Sequence, residues 1–271
     1  MKMNNKQTTY LTGAAKDFID AKLASGFVSF SLADLTTTTG LSVIAAKNQL
    51  LRLKSIVTRV SPRQQYFLII QPEHRSIGAP PVEWWLDDYF RWLGHCYYLA
   101  LQSAAGTFGS SPQAIQETQV ITDIPRRDMT IGRIRVRFFV KTDIGRTLTQ
   151  QLPGMYAPLT VSTPESTLFD LIRYASVIGG IERAAETIAP LLKLIKSKGL
   201  VHVLNAEKEV STAQRLGFVL QALGATDLTQ IIKKWLPKTI QTVPISTHFC
   251  VDSSAQIDRQ WGVSNNSGSF T

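Results

Sequence analysis

The chain has 271 residues, of which 44% are hydrophobic, and a formal net charge of +9 at pH 7. This size and composition exclude a disordered or fibrous chain and predict two domains with real cores. The polar first ten residues and the lack of an uncharged apolar run near ~20 residues predict no secretory signal and no membrane span, and hence a cytoplasmic protein. Cys96 and Cys250 lack metal-ligand spacing, so we expect two free thiols, no metal site and no cofactor.

Residues 30–70 follow the pattern of a small DNA-binding module. Ser31 is suited to cap a short first helix, and Gly40 supplies a turn residue at no steric cost. Ser42 is suited to cap a second helix over residues 43–54. The apolar positions that predict the buried face of this helix are Ala46, Leu50 and Leu53.

The opposite face of the second helix is polar and basic, and it carries Lys47, Asn48, Leu51 and Arg52. Residues 56–70 then alternate into two strands around Pro62, which predicts a wing and therefore a winged helix-turn-helix. Asn48 is suited to read adenine, whereas the arginines are suited to clamp phosphates. The predicted DNA-binding residues are Ser42, Lys47, Asn48, Arg52, Arg59 and Arg63.

Charge favours this interpretation over a purely structural helix-turn-helix, which is the alternative. Residues 1–72 hold nine Lys or Arg against three acids, or +6 of the total +9. A compact module with such a balance is typical of proteins that contact phosphates.

Prolines and glycines between residues 71 and 81 predict a domain boundary. We therefore expect a winged helix-turn-helix domain over residues 1–72 and a C-terminal domain over residues 82–271. Residues 82–103 follow as an aromatic, helical segment, which indicates either a stacking surface or, as we favour, the core of the second domain.

The next segments predict strands. Residues 119–122 (QVIT) predict a short strand, and residues 133–141 alternate between basic and apolar side chains. The predicted basic face of the second strand consists of Arg133, Arg135, Arg137 and Lys141. This face is suited to extra DNA contact or to an acidic partner, but it is equally consistent with a solvated face or with pairing to acids elsewhere.

Helices dominate the remainder of the chain. Thr163 and Pro164 mark a strong helix start, and Asp170 and Arg173 on that helix are close enough to pair. Further helices are expected over residues 181–198, 212–223 and 227–236, followed by short extended pieces. The predicted fold class is α+β, with an N-terminal winged helix-turn-helix before a mixed α/β C-terminal domain.

Four motifs in order resemble the AbiEi-type antitoxins of type IV toxin–antitoxin systems. Residues 162–174 (STPESTLFDLIRY), followed by Gly179-Gly180, resemble the central motif of that family, and residues 214–224 (QRLGFVLQALG) resemble a second motif. Residues 97–106 (YYLALQSAAG) resemble its first helix after the wing, and the ending from Val243 through Trp261 resembles its closing strands.

The resemblance implies a bacterial protein of phage defence (abortive infection) with two roles. It would bind inverted repeats in its own promoter as a monomer or weak dimer, cooperatively, and repress a toxin–antitoxin operon. Its C-terminal antitoxin domain would counteract a nucleotidyltransferase-like toxin. One alternative is a ligand-responsive winged-helix regulator without a toxin partner, whose aromatic segment would line a pocket.

The competing class is an enzyme, such as a site-specific nuclease. Such an enzyme needs clustered carboxylates to hold a metal, and the strand around Lys141 offers no neighbouring acid. The four histidines are scattered, and His248-Phe-Cys250 alone is too little for a zinc site. We therefore expect no catalytic residues.

Overall fold

The computed structural model describes residues 5–110, 117–246 and 256–265, and for residues 5–12 and 256 it describes the backbone alone. Within the described residues 5–70, the chain forms three helices and a three-stranded antiparallel sheet with the order β1-β3-β2. These elements are α1 (Asn5–Ala24), β1 (Ser29–Ser31), α2 (Leu32–Thr39), α3 (Val43–Arg52), β2 (Val57–Arg59) and β3 (Tyr66–Ile69).

Local signals explain the turn between α2 and α3. Ser31 and Asp34 form a reciprocal capping box at the start of α2, and Gly40 ends that helix with φ 69°. The Ser42 hydroxyl accepts a hydrogen bond from the Ala45 amide at 3.2 Å and caps α3. The predicted caps and turn are therefore confirmed.

A six-stranded mixed sheet with the order β6-β7-β5-β4-β9-β8 forms the centre of the following segment. Strand β5 runs parallel to β7, and β4 runs parallel to β9, while the other neighbours are antiparallel. The elements are α4 (Leu86–Leu93), β4 (Tyr97–Leu99), α5 (Leu101–Thr107), β5 (Thr118–Thr122), β6 (Met129–Ile131), β7 (Ile134–Val140), β8 (Thr149–Leu152) and β9 (Leu159–Ser162).

The helical prediction for residues 82–103 is wrong in part. Tyr97–Leu99 is an inner strand of the sheet because its three side chains are buried and its backbone pairs with β5 and β9. The helix of that motif begins only at Leu101.

Five helices and three short strands follow. They are α6 (Pro164–Arg173), α7 (Ile181–Leu191), α8 (Ser197–Glu207), α9 (Val210–Ala222), α10 (Thr226–Trp235), β10 (Val243–Pro244), β11 (Gln256–Asp258) and β12 (Val263–Asn265). The predicted helix over residues 181–198 is divided: α7 continues through Pro190 to Leu191, a 3-10 turn covers Leu192–Leu194, and α8 begins at Ser197. The segment His248-Phe-Cys250 lies outside the described residues.

Hydrophobic residues gather in three clusters. One lies within the N-terminal helices and sheet, and one lies between the large sheet and the C-terminal helices. The third joins Val28, Tyr66 and Leu68 of the N-terminal part to Trp85 and Tyr89 beyond residue 81. The proposed division into residues 1–72 and 82–271 thus has a continuous core running across it.

The aromatic segment contributes mainly to these cores. Trp85, Tyr89 and Tyr98 are fully buried, whereas Trp92 is partly exposed. Among the described residues, no helix is both long enough and apolar enough to cross a bilayer.

Two segments of the C-terminal part meet at Trp261. The Gln214 side chain donates hydrogen bonds to the Trp261 and Gln241 carbonyls, both at 2.8 Å. The Trp261 indole lies against Gly217 of α9 and is fully buried. The closing strands are therefore packed onto α9 rather than lying free.

We expect Gly217→Ala to lower the free energy of unfolding by about 1–3 kcal/mol, because the added methyl overpacks the core. Its Cβ would lie 2.2 Å from Trp261 Cζ3. Gly145→Ala is the matched control, since a Cβ there meets nothing within 4 Å, and it should change stability by less than about 0.5 kcal/mol. Urea unfolding of both variants is the measurement, and equal stability would contradict tight packing at Trp261.

Candidate nucleic-acid interface

The buried side of α3 determines which of its residues are exposed. Ala46 and Leu50 are buried in the N-terminal core, and the Gln49 side chain accepts a hydrogen bond from the Ala15 amide at 2.9 Å. This fixes the rotation of α3 against α1. The exposed side, which we call the α3 face, carries Ser42, Lys47, Asn48, Leu51 and Arg52.

The hairpin of β2 and β3 lies directly after α3 in the chain. Arg59 is half-buried; its guanidinium donates to the Pro62 carbonyl at 3.2 Å and stacks on the Phe67 ring at 5.3 Å. Arg63 in the hairpin loop is exposed. Arg59 therefore shapes the loop, and Arg63 is the freer of the two cations.

The charged side chains of α3 and the following hairpin are all positive. From Leu35 to Pro72 the sequence holds five Lys or Arg residues and no Asp or Glu. The α3 face and the hairpin loop thus present positive charge without a neighbouring acid from the same segment, an arrangement suited to a polyanion.

The four cations of the predicted second basic face differ in the structure, and for Arg137 and Lys141 the alternative of pairing with acids elsewhere applies. Arg133 and Arg135 are exposed, and Arg137 pairs with Glu117 at 3.4 Å. Lys141 is buried, with its Nζ 2.6 Å from Glu207 Oε1. Strand alternation places Lys141, which follows β7, on the side of the sheet that the helices cover, where it meets Glu207 of α8.

A cleft of about 550 Å³ separates the hairpin loop from the loop after β5. Its cationic lining comes from Arg63, Arg126 and Arg127. The Arg126 guanidinium lies over the Phe90 ring at 5.5 Å and donates to the Tyr89 hydroxyl. Sequence reasoning did not select Arg126 and Arg127, because no local spacing indicates that this loop faces residue 63.

Tyr89 links the two sides of this cleft. Its hydroxyl donates to Gln64 Oε1 in the hairpin loop at 2.6 Å, and its ring packs against Tyr66 of β3 with centroids 5.4 Å apart. The hairpin is therefore fastened to the C-terminal part of the chain.

A buried ion network lies on the far side of the large sheet. The predicted pair of Asp170 and Arg173 is confirmed at 2.9 Å, and Arg173 Nη2 also lies 2.5 Å from Glu207 Oε2. Tyr98 donates to Asp170 at 2.8 Å. The members of the network are Tyr98, Lys141, Thr147, Asp170, Arg173, Glu207 and Glu209.

The two carboxyl groups at the centre of the network titrate differently. Burial raises the pKa of Asp170 above its ordinary value, and the charges of Lys141 and Arg173 offset this only in part. Burial acts in the same direction on Glu207, but hydrogen bonds and charges from Lys141 and Arg173 outweigh it and hold its pKa below the ordinary value. Because these cations and anions satisfy one another, the network joins β7, α6 and α8 as a scaffold.

Within the described ranges, no three His, Cys, Asp or Glu side chains are grouped to hold a metal ion. The carboxylates of the network are instead engaged by Lys141 and Arg173.

The large sheet, α5 to α9 and the ion network lie in one stretch of sequence that matches a known family. Residues 97–222 match the family model described as the AbiEi antitoxin C-terminal domain. These residues therefore form an AbiEi antitoxin C-terminal domain within the chain. Comparison with curated proteins gives no match.

The matches among solved structures include one clear likeness and one weak one. The RV2827C protein from Mycobacterium tuberculosis has 15% sequence identity and a TM-score of 0.63, over 97% of this chain and 92% of that one. This likeness shows a shared mixed α+β fold. An antigenic nucleotidyltransferase-like protein from Paracoccidioides brasiliensis has 11% identity and a TM-score of 0.38, over 56% of this chain and 90% of that one, which is too low to show a common fold.

Proposed function

We propose that this chain is an antitoxin that also binds DNA, through a winged helix-turn-helix formed by residues 1–72. In this arrangement α3 lies in the major groove, and the β2–β3 hairpin is the wing. The observation that carries the proposal is the exposed α3 face, set in a segment without acids and beside the Arg63 loop.

The contacts follow from exposure and chemistry. Asn48 is exposed on α3 and suits the N6 and N7 groups of adenine, whereas Lys47, Arg52 and Arg63 suit phosphates. The Ser42 hydroxyl accepts from the Ala45 amide, which leaves its proton for a phosphate oxygen. Arg59 orders the wing loop more than it meets the duplex. Arg133 and Arg135 remain candidates for an additional contact.

The biological role that we propose is autorepression of a type IV toxin–antitoxin operon, by monomers or weak dimers that bind inverted repeats cooperatively. Residues 82–271 would counteract a nucleotidyltransferase-like toxin encoded beside this chain. The AbiEi antitoxin domain supports the antitoxin part, and the motif resemblance supports the kind of toxin. Our proposal does not include a catalytic activity for this chain.

DNA binding is tested by fluorescence anisotropy of the full chain with the DNA fragment upstream of its own gene, over a series of salt concentrations. We expect log K to fall linearly with log salt, at about −0.9 for each phosphate contact. Lys47→Ala and Arg52→Ala should each weaken binding and reduce the magnitude of this slope by about 1, because each removes one phosphate contact.

Lys233→Ala is the matched control, since it removes an exposed cation from α10. If Lys47→Ala and Arg52→Ala bind like Lys233→Ala, the α3 face is not the interface. If the wild-type chain binds unrelated DNA as tightly as the fragment upstream of its own gene, the proposed autorepression is wrong.

The antitoxin role is tested by inducing the neighbouring gene and scoring growth with the full-length chain. The Lys47→Ala/Arg52→Ala double variant should rescue growth like the wild type while failing to repress a promoter reporter. A neighbouring gene that is not toxic, or toxicity that the wild-type chain does not relieve, would contradict the role.

The alternative is a ligand-responsive regulator whose aromatic segment lines a pocket. Trp85 and Tyr89 are fully buried in a packed cluster, which argues against it, although Phe90, Tyr97 and Tyr98 line a cavity of about 370 Å³. That alternative predicts release of DNA by a small molecule and needs no toxin gene.

A further inference from the structure

The outer side of α3 is apolar as well as basic. Ile44 is 74% exposed and Leu51 is 72% exposed, although both are large aliphatic side chains. With Lys47 and Asn48 they occupy positions i, i+3, i+4 and i+7, which form one row along the helix. An exposed apolar row on an otherwise packed helix marks a binding surface.

These two side chains are not part of the core. The inward positions of α3 are filled by Ala46 and Leu50, and Gln49 fixes the helix to α1. Ile44 and Leu51 therefore point away from the folded core. The Asn48 side chain between them makes no hydrogen bond within the described part of the chain, so its amide is free to bind a ligand.

The occupant must match both properties of this surface. The surrounding segment has five cations and no acid, so it favours a polyanion and disfavours a second copy of the same face. The major groove of DNA has phosphates at its edges and, at each thymine, an apolar methyl group on its floor. A protein partner would need an acidic rim around an apolar centre, whereas a duplex carries both features along its whole length.

We propose, on the basis of the DNA-binding function above, that Ile44 and Leu51 read thymine methyl groups while Asn48 reads adenine. The half-site that α3 recognises is then rich in A·T pairs. Lys47 within this row and Arg52 next to Leu51 hold the phosphates, so they supply affinity without sequence preference.

The probe is the DNA fragment upstream of this gene, prepared once with thymine and once with uracil in place of every thymine. Uracil lacks the C5-methyl group but keeps the Watson–Crick pairing. We expect the full-length wild-type chain to bind the uracil fragment about four-fold more weakly for each thymine methyl group that it touches. Fluorescence anisotropy at fixed salt measures both affinities.

Variants of the chain show which residues cause the difference in affinity between the two fragments. Ile44→Ala and Leu51→Ala should bind the thymine fragment more weakly and should each reduce the difference between the two fragments, so that the double variant binds both alike. Lys47→Ala should weaken binding to both fragments equally and keep the difference. Met155→Ala, which removes another side chain that is 73% exposed, should change nothing.

Each outcome is decisive. Equal affinity of the wild type for the two fragments, with preference over unrelated DNA retained, overturns methyl recognition and leaves DNA binding standing. Absence of any preference for the upstream fragment overturns the proposed function itself. A thymine preference that survives in the Ile44→Ala/Leu51→Ala variant overturns the assignment to these residues, and unchanged thermal melting shows that the variants are folded.

Discussion

Replacing Glu207 with Gln is expected to lower the free energy of unfolding by about 3–5 kcal/mol. The Glu207 side chain is 4% exposed and binds Lys141 at 2.6 Å and Arg173 at 2.5 Å. The amide keeps the size of the side chain but removes its charge. Lys141 is then a buried cation whose other partner is the Thr147 hydroxyl. Urea unfolding followed by circular dichroism measures the change.

Glu209→Gln is the matched control for this variant. Glu209 also contacts Arg173, at 2.9 Å, but its side chain is 43% exposed, so removing its charge should cost less than about 1 kcal/mol. A Glu207→Gln variant as stable as Glu209→Gln would contradict the role of the network. Adding Lys141→Met to Glu207→Gln should recover part of the stability, since the orphaned cation is removed.

The difference in stability between the wild type and Glu207→Gln should also depend on pH. The pKa of Glu207 is held below its ordinary 4.5, so its contribution is complete above pH 4.5 and is lost as the pH falls toward the folded-state pKa. Asp170, whose pKa is raised, contributes with the opposite sign; the charge of Glu207 raises this pKa less than burial does, so its loss in the variant only partly offsets the trend. A difference that grows below pH 4.5 would contradict this assignment.

Trp85→Ala is expected to cost about 3–5 kcal/mol and to weaken both halves of the molecule together. Trp85 is fully buried in the cluster that joins the N-terminal sheet to α4 and the large sheet, and its indole donates to the Pro80 carbonyl at 3.3 Å. Removal of this side chain opens a cavity between the two parts. In urea titrations, the variant should lose DNA binding and helical circular dichroism at lower urea concentrations than the wild type. Both midpoints should fall by the same amount.

Trp92→Ala provides the comparison, because it removes the same kind of side chain from α4 where it is 40% exposed. We expect a decrease nearer 1 kcal/mol, from its stacking with the rings of Tyr66 and Tyr89. If DNA binding in Trp85→Ala keeps the wild-type midpoint while the rest of the chain melts earlier, the shared core does not couple the two parts.

Short-range signals are enough to predict the helices α2 and α3. Caps and turns act over three or four residues, so Ser31, Gly40 and Ser42 identify both helices directly. The sequence pattern does not reveal α1, because Gly13 and the neighbouring threonines weaken its helical propensity. Tyr97–Leu99 is mistaken for a helix because an inner strand of three residues is too short to show a period.

The candidate site is predictable only where exposure follows from the helix itself. The period of α3 places Lys47, Asn48 and Arg52 outward, and they are exposed. The sequence leaves open whether Lys141 is exposed or paired, because alternation gives the side of a strand but not what covers it, and its partner Glu207 is 66 residues away. The hydrogen bond between Gln64 and Tyr89 depends on how the hairpin docks, which no local pattern contains.

Because Trp261 and Val263 belong to the C-terminal core, this core can be completed only later in synthesis than the N-terminal core. The N-terminal core is complete in sequence by residue 69, whereas the C-terminal core lacks two of its members until residue 263 has been synthesised. At ~5–20 residues per second, translation of the intervening residues takes roughly 10–40 s. During that interval a nascent chain holds the elements of the proposed DNA-binding module but not a finished antitoxin core.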